Sequence, residues 1–388
     1  MRLRLVDRGL PGRVLSMRAR GLRLFVGTAL AAALAACAQD AARPAVVDAY
    51  GTHVETADLG RTLHLFIWPD YLDRTLVREF EGAYGVSVSI DYYDTNEAMI
   101  AKLQAGGTGQ YDLVVASDYA VEVLAGAQLL QPLDHAAIPN LKNLAARFRE
   151  APYDPGNVYS VTYQWGTSGL GVRADLAGDS TKLIPSWKLV FDPAASVGPF
   201  TMLNDPRETI GAALIYLGHS ANTTDEGELA EAERLLMAQR GRLLTYSPFA
   251  TSRDLLASGD AVVAHNYSGD VLMVADEVPA VRYLIPREGS IVWTDNLAIP
   301  KGAPDRRLAE LFINFILDAQ VGARLSGFTH YATPNDASLP LVSAELRADP
   351  AVYPDSAVMA RLEFLRDVGE ARAAYDRIWT RLRAGAGG

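Results

Sequence analysis

From residue 62 onward, short apolar runs alternate with segments of helical period, which is typical of parallel β-α-β units. Strands are predicted at 63–67, 86–92, 112–115, 290–293 and, separately, 297–300. Helices are predicted at 75–84 and, capped by Asn96, at 96–103. In such a sheet, ligands lie in the loops beyond the carboxyl ends of the strands. The sequence therefore predicts an α/β fold with a doubly wound sheet, whose functional residues follow its strands.

Residues 1–36 have the pattern of a secretory signal peptide. Arg18, Arg20 and Arg23 precede an uncharged run at 24–36, which is shorter than the ~20 residues of a membrane-spanning helix. The pattern predicts export from the cytoplasm. It leaves the start open between Met1 and Met17, since a segment from Met17 has the more usual length.

The signal segment ends in Leu34-Ala35-Ala36-Cys37, which resembles the lipobox of bacterial lipoproteins. By that resemblance, Cys37 becomes the lipidated first residue of a periplasmic, membrane-anchored chain. A plain signal cut after Ala33-Leu34-Ala35 is the alternative. Residues 37–61 are Ala-rich and polar at first and show no period, so we expect a flexible tether there.

Charge and cysteine content exclude several classes of protein. The formal net charge is -10, and residues 1–36 carry +6, so the exported part is clearly acidic. Nucleic acid is therefore not an expected partner, because its binders need clustered Lys and Arg. With a single cysteine, the chain forms no intramolecular disulfide and no Cys-rich metal site.

Aromatic side chains and carboxylates follow nearly every predicted strand. An aromatic face attracts a cation, and a carboxylate accepts charge-assisted hydrogen bonds from ammonium groups. Taken singly, each residue also suits a helix cap, a turn or the core. Their coincidence at many strand ends points to a cationic amine ligand. These residues are Trp68, Asp70, Tyr71, Ser117, Tyr119, Asp205, Glu208, Tyr267, Asp270, Trp293 and Asp295.

Sequence motifs of enzymes are weaker signals than these strand-end residues. Gly169-Leu170-Gly171-Val172-Arg173-Ala174 fits a dinucleotide-binding pattern but lies in a β-rich stretch with no acidic partner ~20 residues on. Gly166-Thr167-Ser168-Gly169 does not complete the hydrolase serine turn. The six histidines form no H-x-x-x-H pair, so we expect no metal site, no cofactor and no catalytic residue. An exported glycosidase that uses paired carboxylates is the remaining enzymatic alternative.

Several collinear stretches between about 62 and 384 resemble the bacterial spermidine/putrescine-binding proteins that serve ABC importers. The matching stretches are Phe66-Ile67-Trp68-Pro69-Asp70-Tyr71, Thr95-Asn96-Glu97-Ala98-Met99, Tyr111-Asp112-Leu113-Val114-Val115-Ala116-Ser117, Gln164-Trp165-Gly166-Thr167, Asp205-Pro206-Arg207-Glu208, Asn222-Thr223-Thr224-Asp225, Trp293-Thr294-Asp295-Asn296-Leu297-Ala298-Ile299-Pro300 and Ala332-Thr333-Pro334-Asn335.

The resemblance implies a two-lobed periplasmic-binding-protein fold of type II, which closes around a polyamine. Lobe 1 is expected at 62–168 with 296–345, and lobe 2 at 169–295 with 346–384. The implied partners are the polyamine and the ABC permease and ATPase subunits of the membrane, and we expect a monomer. A polyamine sensor that presents its loaded form to a membrane signalling protein is an alternative use of the same cleft.

The resemblance also assigns roles within the site. The implied aromatic box is Trp68, Tyr71, Tyr119, Tyr267 and Trp293, with Tyr331 added. The implied partners of ammonium groups are Asp70, Asp205, Glu208, Asp270 and Asp295, and Ser117 is a neutral acceptor. Asp118 receives no ligand role.

Two departures from the family pattern bear on ligand choice. Tyr267 stands where the family commonly has Trp, and Leu365 stands where spermidine binders have glutamine. Asp270 resembles the putrescine type, whereas Glu208 and Trp293 resemble the spermidine type. The resemblance therefore implies a polyamine and leaves its identity open, with an extra acidic contact in place of the glutamine favouring putrescine or a related diamine.

Overall fold

The computed structural model describes residues 45–178, 181 and 183–384. The signal segment, the lipobox with Cys37 and the start of the predicted tether lie outside the described residues. The β-strands are β1 (Val46–Ala49), β2 (Thr52–Glu55), β3 (Thr62–Ile67), β4 (Ser87–Tyr92), β5 (Leu113–Ser117), β6 (Ser160–Arg173), β7 (Phe200–Leu203), β8 (Leu243–Ser247), β9 (Val263–Tyr267), β10 (Val281–Leu284), β11 (Ser290–Ala298) and β12 (Leu362–Glu363).

The α-helices connect these strands and cover their faces. They are α1 (Arg74–Tyr84), α2 (Asn96–Gln104), α3 (Asp118–Gly126), α4 (Ala146–Arg149), α5 (Lys188–Phe191), α6 (Pro206–Leu217), α7 (Glu226–Gln239), α8 (Phe249–Ser258), α9 (Ser268–Glu277), α10 (Arg306–Ile316), α11 (Ala319–Thr329), α12 (Ala344–Ala348), α13 (Ser356–Met359) and α14 (Arg372–Ala384). Within the ranges described, no helix is both long enough and apolar enough to span a membrane.

The main sheet has the strand order β4-β3-β5-β11-β6-β9-β7-β8, with β10 paired to β6 and β12 paired to β11. Strands β3, β4 and β5 are parallel to one another, and so are β7, β8 and β9. Strand β6 joins these two parallel groups, because residues 160–167 pair with β11 and residues 168–172 pair with β9. The architecture is therefore mixed α/β, with two parallel groups of strands on either side of one long strand.

Helix α1 shows how the sequence pattern sets the local structure. Asp73 caps its N-terminus through a hydrogen bond from the Thr75 N–H, and Leu76 and Phe80 face the core. Gly85 ends the helix with φ 63°, a conformation that favours glycine because other side chains are strained there. The predicted helix and its neighbouring strand are thus present with small shifts at their ends.

Two local predictions are wrong. The cap of α2 is Thr95, whose hydroxyl accepts the Ala98 N–H, and Asn96 is the first helical residue. The separate strands expected at 290–293 and 297–300 are one continuous strand, β11. A register shift between Asp295 and Asn296 lets β11 continue past the polar pair that suggested a break.

The part of the expected tether from residue 46 onward is also ordered, contrary to the prediction for 37–61. Strands β1 and β2 form an antiparallel hairpin, and the Tyr50 ring at its turn packs edge-on against Phe315 at 4.8 Å. Asn140 and Asn314 donate amide hydrogen bonds to the Tyr50 carbonyl. Contacts with residues far along the chain hold this hairpin, which explains why its own sequence shows no strong pattern.

Candidate functional site

All twelve side chains expected at the ligand site line one cavity, which has about 670 Å³ of free space including its solvent-open part. The carboxyl ends of β3, β5, β7 and β9 lie at the cavity and contribute Trp68, Ser117, Asp205 and Tyr267 among others. β11 runs antiparallel to β5, so it contributes Trp293 and Asp295 from its middle.

The lining combines an aromatic set with an acidic set. It is composed of Trp68, Pro69, Asp70, Tyr71, Asn96, Ser117, Asp118, Tyr119, Asp205, Glu208, Phe249, Tyr267, Asp270, Met273, Trp293, Asp295, Tyr331 and Leu365.

Asp295 is buried in β11, directly opposite Ser117 of β5. The Ser117 hydroxyl donates to Asp295 Oδ1 at 2.6 Å, and the Asn96 amide donates to Ser117 Oγ at 3.0 Å. Burial raises the pKa of Asp295 to about 6, although the hydrogen bond from Ser117 opposes the shift. A cation placed against this carboxylate would favour its ionised form.

Asp205 and Glu208 form a second acidic group at the start of α6. Asp205 Oδ1 accepts the backbone N–H groups of Arg207 and Glu208 at 2.9 and 3.0 Å, so Asp205 is also the helix cap. Burial raises the pKa of Asp205 to about 7, and the charge of Glu97 adds to the shift. Glu208 is buried, with a strongly raised pKa for the same reason, and its Oε2 has no hydrogen-bond partner among the described residues. Such an oxygen marks a place for an external donor.

Asp70 and Asp270 form a third acidic group, and here a protein cation is already present. The Arg253 guanidinium of α8 donates to Asp70 Oδ2 at 2.9 Å and contacts Asp270 Oδ1 at 3.4 Å. The Tyr331 hydroxyl donates to Asp270 Oδ2 at 2.6 Å. Burial raises the pKa of Asp270 to about 6, and Tyr331 and Arg253 both oppose that rise.

The aromatic walls are held in fixed orientations. The Trp293 ring meets Tyr267 at 5.6 Å and Tyr331 at 5.0 Å between ring centroids, both nearly edge-to-face. Trp68 packs on Tyr93 at 4.2 Å. Within the described part of the chain, the indole N–H groups of Trp68 and Trp293 have no acceptor. The walls therefore offer π-faces and unpaired donors beside the carboxylates.

A glycine makes room for Trp293. A Cβ at Gly166 of β6 would lie 2.7 Å from Trp293 Cζ2, closer than such atoms approach in proteins. Gly166 therefore belongs to the construction of the aromatic wall, although it does not line the cavity.

Sequence reasoning missed several residues of this site. Asn96 lies in one of the stretches that resemble the family, but its sequence context indicated only a helix cap. Phe249 and Met273 carry no polar signal, and Arg253 lies in a helix with an unremarkable pattern. Asp118 lines the cavity but has a structural role, since its carboxylate accepts the Thr294 N–H of β11 at 3.3 Å.

The structural contexts of the enzyme motifs do not fit their chemistry. Residues 166–173 lie inside β6, so neither glycine motif opens a helix as a dinucleotide site or a hydrolase serine turn requires. His265 is fully buried beside Glu208, and burial lowers its pKa to about 3, which leaves the ring neutral. Across the described ranges, no group of three or more His, Cys, Asp or Glu is arranged to hold a metal ion.

Comparisons with a family model and with individual relatives all indicate solute-binding proteins. The family model described as bacterial extracellular solute-binding protein matches residues 75–354. A putrescine/cadaverine-binding protein of Pseudomonas aeruginosa is 34% identical over 339 residues, covering 84% of this chain and 95% of the relative. A spermidine/putrescine-binding periplasmic protein of Salmonella typhimurium is 32% identical over 337 residues, covering 87% and 96%.

Solved structures show the same fold. The crystal structure of the TpPotD lipoprotein of Treponema pallidum superposes with a TM-score of 0.73 at 31% identity, covering 83% of this chain and 99% of that protein. The expected fold class, a two-lobed periplasmic-binding-protein fold, is thereby confirmed.

Proposed function

Because the chain belongs to the bacterial extracellular solute-binding proteins, we propose that it binds a polyamine of the putrescine/spermidine class in the acidic, aromatic cavity and delivers it to an ABC importer. The relatives named above bind putrescine, cadaverine or spermidine. The observation that carries the proposal is a set of three carboxylates that line the cavity together with aromatic rings, Asp295 and Glu208 buried and Asp205 half-buried. Within the described residues, none of the three forms an ion pair with Lys or Arg.

The chemistry of the cavity selects against other small solutes. An amino acid would bring an α-carboxylate into a site that is already acidic, where it would be repelled and poorly solvated. Simple inorganic cations would gain the charge interaction but not the contact between methylene groups and aromatic rings. A linear amine satisfies both surfaces, since its ammonium groups meet carboxylates and its chain meets the rings.

Calorimetry on refolded, ligand-stripped protein tests this proposal. Putrescine, cadaverine, spermidine and spermine are titrated separately, with glutamate and glycine as controls. We expect micromolar or tighter binding of at least one polyamine, about -8 kcal/mol, and no binding of the amino acids. Absence of heat for all four amines would reject the proposed function. Intact amine recovered from the purified protein, rather than turnover of a sugar or ester, would separate binding from catalysis.

The paired strands support a particular division into lobes. We place lobe 1 at 62–168 with 296–345 and lobe 2 at 169–295 with 346–384, because the pairing of β6 changes from β11 to β9 between residues 167 and 168. The cavity draws Ser117 from the first group and Asp205 from the second. Closure of the lobes would then bring ammonium-binding groups from both sides around one ligand.

The same proposal includes a lipid anchor at Cys37 and a place in the periplasm. Its support is the Arg-rich, apolar, Leu-Ala-Ala-Cys order of the sequence and the similarity to a Treponema pallidum lipoprotein. A lipid-anchored monomer would meet the permease at the membrane surface, and more than one acyl chain is needed for stable anchoring. Replacing Cys37 by Ser should move the protein from the detergent phase to the aqueous phase. Unchanged partitioning of Cys37→Ser would contradict the anchor.

A further inference from the structure

Arg253 places a fixed positive charge where the sequence predicts ligand ammonium groups. It lies on α8, and its guanidinium contacts three residues that line the cavity, namely Asp70, Asp270 and Met273. An arginine is protonated at every physiological pH, so this charge does not depend on conditions. The sequence alone gave no reason to place a cation in this acidic site.

The exposed fractions of the side chains place Asp70, Arg253 and Asp270 at the rim of the cavity. The side chain of Asp70 is 59% exposed, that of Arg253 is 21% exposed, and that of Asp270 is 8% exposed. Arg253 therefore reaches from the solvent side toward the buried carboxylate. Asp70 follows β3 and Arg253 follows β8, so the ion pair also connects the two parallel groups of strands.

The contacts of Arg253 change the number of carboxylates that remain for a ligand. Asp270 already accepts from Arg253 at Oδ1 and from Tyr331 at Oδ2, and Asp70 accepts from Arg253 at Oδ2. Asp118 also lines the cavity, but its two carboxylate oxygens accept the backbone N–H groups of Tyr119 and Thr294. Among the described residues, the lining carboxylates that then remain without an ion pair to Lys or Arg form two groups, which are Asp295 alone and Asp205 with Glu208. Two acidic groups match two ammonium ions.

We propose that Arg253 takes the place of a ligand ammonium group at the Asp70–Asp270 end of the cavity and thereby restricts the site to diamines. This inference rests on the proposed polyamine function and adds a residue that determines specificity. A triamine such as spermidine would have to displace the guanidinium from two carboxylates, or leave its third ammonium group without a partner. A diamine such as putrescine or cadaverine needs neither change.

A guanidinium in a binding cavity could instead receive a ligand carboxylate, as it would for an ω-amino acid. The charges around Arg253 argue against this use, because it is already bracketed by two carboxylates of the protein. A third carboxylate would meet a group whose net charge is negative, and it would be repelled by Asp70 and Asp270.

Calorimetry with putrescine, spermidine and γ-aminobutyrate on the full chain and three variants tests the inference. Arg253→Ala removes the charge and opens space, whereas Arg253→Lys keeps a positive charge. Arg282→Ala is the matched control, since Arg282 is exposed and, among the residues described, its guanidinium donates only to nearby backbone carbonyls. Thermal melting of each variant shows whether it is folded.

We expect the natural chain to bind putrescine at least about tenfold more tightly than spermidine. Arg253→Ala should reduce that ratio by about tenfold or more through tighter spermidine binding, because Asp70 and Asp270 become available to an ammonium group. Arg253→Lys and Arg282→Ala should keep the ratio within about threefold of the natural chain.

The possible failures are distinguishable. Equal affinity for putrescine and spermidine in the natural chain, or a ratio that Arg253→Ala leaves unchanged, would overturn the role of Arg253 while the polyamine function stands. Tighter binding of γ-aminobutyrate than of putrescine would show that Arg253 receives a carboxylate and would also overturn it. Absence of binding of any amine would overturn the proposed function itself. If Arg253→Ala does not fold, an increase of spermidine affinity in Arg253→Gln decides the same question.

Discussion

Replacing Asp295 by Asn removes the charge at the centre of the cavity and keeps the shape of the side chain. The carboxylate is buried, and its hydrogen bond with Ser117 holds it in place. A ligand ammonium group would then be desolvated beside a neutral amide, and truncating one partner of a buried charge pair costs ~2–5 kcal/mol. The expected loss of polyamine affinity is therefore about 30-fold or more, at about 1.4 kcal/mol per tenfold.

Isothermal titration of putrescine into the natural chain and Asp295→Asn measures this loss, and a charge-matched control isolates its cause. Asp94→Asn changes the net charge by the same amount at an exposed position in the loop between β4 and α2. Asp118→Asn is less suitable as a control, because Asp118 is buried and holds the Thr294 N–H of β11. If Asp94→Asn loses as much affinity as Asp295→Asn, the effect is one of overall acidity and the reasoning from site geometry is refuted.

Three further predictions use the same site. Burial raises the pKa of Asp205 to about 7 and that of Asp295 to about 6, so polyamine affinity should fall as the pH drops from 8 to 5; a flat profile in titration calorimetry would contradict these shifts. Because these folded-state pKa values exceed the ordinary 3.8, the folded chain binds more protons than the unfolded chain between about pH 4 and 7. The melting temperature of ligand-free protein should therefore be higher at pH 5 than at pH 7.5, which differential scanning calorimetry checks. Gly166→Ala should displace the Trp293 ring, weaken binding by about tenfold and change tryptophan fluorescence, whereas Gly126→Ala, where a Cβ meets open space, should do neither.

The strand-end rule explains why so much of the site was predictable. Parallel strands bring their carboxyl ends to the same edge of a sheet, so residues such as Trp68 and Tyr267 meet although they are far apart in sequence. Strand positions and residue chemistry gave eleven of the expected side chains, and the family resemblance added Tyr331. All twelve line one cavity. Asp295 lies at the cavity for a different reason, because β11 runs antiparallel to β5 and presents its middle rather than its end.

The parts that escaped prediction depend on contacts between distant segments. The β1–β2 hairpin is held by Asn140, Asn314 and Phe315, and its own residues have no strong strand pattern. The continuity of β11 through Asp295 depends on pairing with both β5 and β6. Arg253 was missed for the same kind of reason, since only the folded chain brings α8 next to Asp70.

The electrostatics of the cavity connect its fold to its proposed function. Burial of Asp295, Asp205 and Glu208 raises the pKa of each, so the arrangement of strands that brings them together is unfavourable for their ionised forms. A bound ammonium group reverses this cost, and the same burial that opposes ionisation makes the attraction for the cation stronger. A polyamine should therefore bind preferentially to the arrangement in which the carboxylates are gathered, and should raise the melting temperature with its concentration. Arg253 provides this compensation permanently for Asp70 and Asp270, which leaves the other carboxylates to depend on the ligand.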